Sequence, residues 1–422
     1  MNLALVCPDL SGHLNPMLTL GRALAARGHQ VGIVSYPRVR GQIERAGLGF
    51  LPIGLPEHES GDRERDLATL ASLTGFAGLK FTGAVLAKDT RIVLRDLPAV
   101  LKSHGVTGVV CDQVVPASGT VAEMLGLPSV VVCNALAMQQ EPAVPPPTLP
   151  WSHRPGWIGR WRNRAGNLLL RLAGRPIYAE LGRVRKANGL PPLGMVRSRG
   201  EGLAQVAQQP AFFDFPRERL PDHFHYTGPW HATGRDQAID FPWDRLNGRP
   251  LVYASLGTLQ NRLQHVFAAI LAGCANLPVQ VVLSLGRAGA VWDGGPIPDN
   301  AIVVPFAPQL DLLDRAAVVI THAGLNTVLE TLARGKPMLC IPVTNDQPGV
   351  ASRVKYLQVG DLVVPGKVTA EGVRQTVQYL LTDPAIQARS AELARRIKEG
   401  PGVNDAARII ETALQSGQRL LR

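Results

Sequence analysis

Two histidines in this 422-residue chain stand in turns that follow short apolar runs: Ser11-Gly12-His13-Leu14-Asn15-Pro16 and Thr321-His322-Ala323-Gly324-Leu325-Asn326-Thr327. An imidazole, with an ordinary pKa near ~6.5, can remove a proton from an incoming nucleophile or offer an N–H to an anion. After the first run, Asn15 suits a helix cap and Pro16 a first helical turn, which fixes the loop carrying His13. His13 is therefore a candidate general base; otherwise it holds a loop carbonyl. Asp112, in Cys111-Asp112-Gln113 at the end of a later apolar run, can accept the other ring N–H, set the tautomer and stabilise the imidazolium. It can also simply cap the next helix. No G-x-S-x-G or similar motif supplies a serine or cysteine nucleophile, so a His–Asp pair points to a nucleophile carried by the substrate.

The second half holds a denser set. Ser255-Leu256-Gly257-Thr258 is a small-residue turn whose backbone N–H groups can approach an anion. The Gly324 turn opens a helix whose first N–H groups, with His322, Asn326 and Thr327, can hold a diphosphate. The ring of Phe306, in Phe306-Ala307-Pro308-Gln309, can stack on a nucleobase. Glu330, one turn into the helix, suits ribose hydroxyls. Asp346 and Gln347, in Asn345-Asp346-Gln347-Pro348, suit the hydroxyls of a sugar. Together they describe one sugar nucleotide; taken separately they are helix caps and a buried glutamate. The G-x-G-x-x-G, P-loop and H-E-x-x-H motifs are missing, as is a D-x-D pair. Neutralisation of a departing diphosphate is thus expected from helix N-termini and His322, with no metal and no cofactor beyond the co-substrate.

These residues need strand ends to stand on, and the chain supplies them. Short β-branched runs alternate with helical patterns, the mark of an α/β fold with parallel sheets. A single core rarely exceeds ~300 residues, so two domains are expected. Strands are expected at Leu3–Cys7, Gln30–Ser35, Val106–Cys111 and Ser129–Cys133, with helices at Asn15–Arg27 and Val39–Ala46. A second series begins at Leu251–Ser255, followed by a helix from Arg262 and further strands through Met338–Pro342. Residues 1–235 form an acceptor-side domain and 236–402 a nucleotide-sugar domain. Residues 403–422 form a terminal helix able to pack back on the first.

The apolar fraction of 45% rules out a disordered chain. No apolar run reaches the ~18 residues of a membrane span, and the opening run is too short for a signal-peptide core. Five cysteines without a C-x-x-C pair fit a reducing cytoplasm. The net charge of +11 favours anionic ligands, but it is spread along the chain rather than gathered in one module, so no nucleic-acid partner is expected.

At these residues the chain resembles the family 1 glycosyltransferases, whose GT-B fold sets two Rossmann-like domains face to face across a cleft. The block from Phe306 to Gln347 is similar to that family's donor signature, and G-H-L-N-P to its base-bearing loop. The resemblance implies an inverting, metal-independent hexosyltransferase: His13 as base with Asp112 as partner, UDP-glucose as donor and a hydrophobic hydroxylated molecule as acceptor. It implies that Phe306 stacks on uracil, Ala307 meets its edge, and Gln309 and Glu330 bind ribose. The phosphates fall to His322, Asn326 and Thr327 with Ser255 and Thr258, and the sugar to Asp346 and Gln347. Plant members carry Trp at Phe306 and H-C-G-W-N-S where this chain has H-A-G-L-N-T.

Val132-Cys133-Asn134-Ala135-Leu136, Glu141-Pro142 and Asn345-Asp346-Gln347-Pro348-Gly349-Val350 are most similar to bacterial carotenoid (zeaxanthin-type) glucosyltransferases, which implies a xanthophyll acceptor. Polyketide, flavonoid, terpenoid and sterol aglycones stay open, as do a sugar-nucleotide epimerase and a non-catalytic nucleotide-sugar-binding protein. From Trp151 to Arg175 the chain carries Trp151, Trp157, Trp161, six arginines and no acid. That stretch suits peripheral contact with an anionic membrane at its inner face, or a solvated basic surface over the acceptor cleft.

Overall fold

A computed structural model describes the chain except residues 74, 194–201, 231–238, 258–262 and 288. The expected domain border at 235/236, the start of the helix at Arg262 and the donor-site candidate Thr258 lie outside the described residues. Seven strands make the first sheet: β1 Asn2–Val6, β2 Gln30–Ser35, β3 Gly49–Pro52, β4 Gly108–Asp112, β5 Ser129–Cys133, β6 Gln205–Ala207 and β7 Phe224–Tyr226. Six make the second: β8 Leu251–Ser255, β9 Gln280–Ser284, β10 Ala301–Val304, β11 Ala316–Thr321, β12 Met338–Cys340 and β13 Gly360–Leu362. Their orders are β3-β2-β1-β4-β5-β6-β7 and β10-β9-β8-β11-β12-β13, and neighbouring strands run parallel in both. β4 and β8 are buried at every position, because helices cover both faces of a parallel sheet and leave no room for polar alternation.

Each sheet reverses its winding once, between β1 and β4 and between β8 and β11. Ligands of open α/β sheets bind beyond the carboxyl ends of strands at such a reversal. Val6 lies beside Cys111 at the first, and Ser255 beside Thr321 at the second. The four turns carrying His13, Asp112, Ser255 and His322 therefore share the two places where the topology opens a crevice.

The helix after β1 runs from Ser11 to Ala26, four residues earlier than the sequence suggests, with Leu10 and not Asn15 at its cap. His13 thus sits inside the first helical turn. Asn15 instead accepts a hydrogen bond from the Gln42 amide at 2.9 Å. Pro16 has no N–H to give the carbonyl of Gly12 one turn back, and that freed carbonyl becomes a contact to the second half. The Val403–Ser416 helix returns to the first sheet: Ala406, Ile410, Ala413 and Leu414 join the core of Leu3, Leu5, Leu14 and Leu20. Its Glu411 accepts a hydrogen bond from the Arg27 guanidinium at 2.8 Å.

The halves are tied by a buried ion cluster. Asp214 accepts from Arg353 of the Gln347–Tyr356 helix at 2.6 Å, from Arg217 at 2.6 Å and from the Tyr226 hydroxyl at 2.8 Å. Two guanidinium groups against one carboxylate hold the Asp214 carboxyl well below the usual range, outweighing the opposite pull of burial.

Candidate active site

A cleft of about 350 Å³ runs between the carboxyl ends of the two sheets. From one side His13, Asn134 and Ala135 line it; from the other come Ser255, Phe306, Ala307, Gln309, His322, Gly324, Asn326, Thr327, Glu330, Asp346 and Gln347. Asp112 stands behind His13, outside the lining. Of the residues singled out in the sequence, the described ones converge on this one space, although His13 and Asp346 are hundreds of residues apart.

His13 Nδ1 and Asp112 Oδ2 are 2.7 Å apart. A carboxylate only accepts, so Nδ1 carries the proton and Nε2 keeps its lone pair. Asp112 is wholly buried and has further partners: its Oδ1 accepts from the Val114 N–H at 3.0 Å, and its Oδ2 from the Asn134 amide at 2.8 Å. Of the two options for Asp112, the histidine partner is the one found: the next helix, Pro116–Met124, has Val115 at its cap with no side-chain cap bond, and Oδ1 only holds the turn before it. Burial alone pulls the His13 pKa down, but the charge and hydrogen bond of Asp112, helped by the charge of Asp346, raise it above 6.5.

On the other side, His322 follows β11 and, among the described residues, no carboxylate shifts it. Burial pushes its pKa down to about 4. Burial thus leaves the ring uncharged at neutral pH, with one N–H to offer an anion, and an anion bound beside it would draw that pKa back up. Its buried Nδ1 makes no hydrogen bond among the described residues, which leaves the ring proton free to reside on Nε2. That nitrogen lies between two glycines. A Cβ on Gly257 would stand 2.7 Å from it, and one on Gly324 2.6 Å. Gly257 also has φ +79° and Ala323 φ +63°, left-handed backbone that costs energy for a side-chain-bearing residue and concentrates at functional loops.

The remaining candidates have specific partners. Phe306, 37% exposed, presents its ring at the mouth, while Ala307 is buried. The Gln309 amide donates to Glu330 at 2.6 Å and to the Thr327 hydroxyl at 3.3 Å, which places a carboxylate and an amide side by side. The Asn326 side chain is already engaged: it donates to the freed Gly12 carbonyl at 3.1 Å and accepts from Gln208 at 2.9 Å. Its backbone N–H, at the start of the Leu325–Ala333 helix, is what faces an anion. Gln347 Oε1 accepts from the N–H groups of Val343 and Thr344 at 2.8 and 3.0 Å, so its NH₂ is the end left for a ligand. Asp346 Oδ2 accepts from the Leu136 N–H of the first half at 3.1 Å, and burial pushes its pKa up. Asn345 precedes it at φ +56°.

Sequence reasoning missed three supports. Asn134 anchors Asp112. Gln113 donates to the carbonyls of Ala135 and Leu136 at 3.1 and 3.0 Å, which holds the cleft wall. Asp9, buried at the cleft edge, pairs with Arg63 and accepts from Arg38. Gln113 and Asn134 stand in the Cys111–Gln113 and Val132–Leu136 stretches already singled out, but without a role of their own; Asp9 stands in none.

The arrangement, two Rossmann-like parallel sheets whose histidine-bearing strand ends face each other across a cleft, is that of the GT-B glycosyltransferases. The glycotransferase of kitacinnamycin superposes with a TM-score of 0.78 over 98% of both chains at 23% identity. The calicheamicin glycosyltransferase CalG4 gives 0.75 over 99% of both at 21%; these likenesses show the fold. The model of the family described as UDP-glucoronosyl and UDP-glucosyl transferase matches residues 193–402. Over 426 residues the chain is 31% identical to a zeaxanthin glucosyltransferase of Pantoea ananas, covering 99% of this chain and 97% of that one. It is 28% identical over 420 residues to a zeaxanthin glucosyltransferase of Pseudescherichia vulneris, covering 98% of each. The chain belongs to the UDP-dependent family 1 glycosyltransferases.

Proposed function

We propose that this enzyme transfers glucose from UDP-glucose to the hydroxyl of a hydrophobic molecule, a xanthophyll of the zeaxanthin kind, with inversion at the anomeric carbon. The observation that carries the reading is the His13 ring: held by Asp112, it keeps its free Nε2 on the same cleft as the His322–Gly324 turn. Support for the acceptor class comes from the full-length relatives in Pantoea ananas and Pseudescherichia vulneris.

In this mechanism Nε2 takes the proton of the acceptor hydroxyl as its oxygen attacks the anomeric carbon. The bond to the diphosphate breaks on the opposite face, and UDP leaves. Asp112 stabilises the imidazolium without taking the proton. N–H groups at the start of the Leu325–Ala333 helix, the neutral His322 and Ser255 hold the departing diphosphate, so its neutralisation is assigned to fixed dipoles. Phe306 stacks on the base, Ala307 meets its edge, and Gln309 and Glu330 take the ribose. Asp346 and Gln347 take the sugar. No cofactor other than the co-substrate enters.

The test is a mass-spectrometric screen of UDP-glucose with mixed lipid-soluble alcohols, xanthophylls among them. A product heavier by one or two hexoses with the wild type, and none with His13→Ala, is the expected result. A β-linked product would establish inversion. Hexose exchange in the donor without any acceptor would instead favour an epimerase.

A further inference from the structure

We propose that the outward face of the Trp157–Ala187 helix docks on an anionic lipid bilayer. This goes beyond the transferase reading and does not depend on it. The helix is built inside out. Up to Asn167 its inward positions are Gly159, Asn163, Gly166 and Asn167, all buried, and an apolar anchor, Leu181, comes only further along. Its outward positions are Trp157, Ile158, Trp161, Leu168, Leu169 and Leu172, exposed by 72, 52, 63, 55, 65 and 48%. At 100° per residue Trp157, Trp161, Leu168 and Leu172 fall on one stripe, with Ile158 and Leu169 beside it. A surface helix with water as its only outer neighbour carries the reverse pattern. Large exposed apolar side chains gathered on one face mark a contact surface.

The charge says what the contact is. Arg160, Arg164 and Arg171 border the stripe along one side and Arg162 along the other, Arg175 closes it in line with Trp157, and no acid occurs from Pro142 to Ala179. Arg160 pairs with Glu218, Arg162 stacks on Trp151 at 4.9 Å and Arg171 donates to Gln140. Arg154, Arg164 and Arg175 form no salt bridge among the described residues. Arg164 lies over the Trp161 ring at 5.3 Å, and tryptophan and leucine flanked by arginine without an acidic partner match the boundary between acyl chains and anionic headgroups. A second copy packed symmetrically on the same face would set arginine against arginine, which disfavours a dimer.

The position fits the cleft. Asn163 donates to the Pro142 carbonyl at 2.9 Å, and Gly166 packs on Pro146 and Trp151. The same loop gives the Pro147 carbonyl to the Gly349 N–H at 3.0 Å, two residues from Gln347. The loop's other end, Asn134 and Ala135, lines the cleft. A bilayer on this face would thus lie against the segment that bounds the acceptor side.

The full chain would be floated with vesicles of phosphatidylcholine alone, or with about 30% phosphatidylglycerol, at low and high salt. Expected are binding to the anionic vesicles that weakens with salt, and a blue shift of tryptophan fluorescence as Trp157 and Trp161 leave water. Arg164→Ala/Arg175→Ala should weaken binding about twentyfold, near fivefold per charge. Trp157→Ser/Trp161→Ser should weaken it at least tenfold, with an unchanged unfolding midpoint showing that both variants fold. No anionic binding, or equal binding to both vesicle types, would overturn the proposal. So would a dimer in sedimentation equilibrium that the tryptophan double variant dissolves. No readout uses donor or acceptor, so failure here is separable from failure of the transferase reading.

Discussion

His13 and His322 occupy matching places, each in the turn beyond a strand at the reversal point of its sheet, yet their surroundings make them chemical opposites. Both rings are deeply placed and burial pushes both pKa values down. At His13 the carboxylate of Asp112, 2.7 Å away, overcomes that push. At His322 only a backbone hydrogen bond with Ser255 opposes it, too weakly, and the ring stays neutral with a pKa of about 4. Position in the fold thus makes a histidine available, while the charge beside it decides whether it takes protons or only donates a hydrogen bond.

Removing the base tests the comparison most severely. His13→Ala should lower transfer about 10²–10⁴-fold while UDP affinity, measured by calorimetry, stays near wild type. Wild-type turnover in that variant would end the assignment. Asp112→Asn keeps the shape but loses the charge and the tautomer control. Turnover should fall about 10²-fold or more. The acid limb of the rate profile, which in the wild type rises through a pKa above 6.5, should move to lower pH.

On the donor side, Gly257→Ala forces a side chain into left-handed backbone beside the His322 ring. UDP affinity should fall about ten- to a hundredfold. Gly324→Ala, with an ordinary φ of −62°, meets only the ring and should cost less.

The smallest and sharpest effect is on stability. His322 titrates lower folded than unfolded, so the unfolded chain takes up a proton that the folded one refuses as pH falls from 6.5 towards 4. His322→Gln should flatten that acid-side loss in urea unfolding. His13 has the opposite sign: its raised pKa adds stability below 6.5 that fades as pH climbs through the folded value. The slopes of the two variants should therefore differ in direction.

Much of this was legible in the chain. Near-continuous apolar strands such as Gln30–Ser35, Ser129–Cys133 and Leu251–Ser255 were readable to the residue, because burial on both sheet faces leaves a local signature. That His322 to Glu330 would gather on one cleft was readable because it is one short segment. Helix starts were not: Ser11–Ala26 begins with Leu10 at its cap, and tertiary packing overrode the better local cap at Asn15. Nor was the Trp157–Ala187 helix foreseen as one element, since up to Asn167 its inward face of glycine and asparagine carries no apolar period.

Residue types and local spacing determined that this chain builds two parallel sheets with anion-binding turns, since both follow from interactions within a few residues. Only the folded arrangement decided which imidazole is basic. The Asp112 carboxylate reaches His13 across a separation of 99 residues, Pro16 frees the Gly12 carbonyl for Asn326 of the other half, and burial strips His322 of its charge. Electrostatics acts through space and dielectric, and neither is written in the order of the residues.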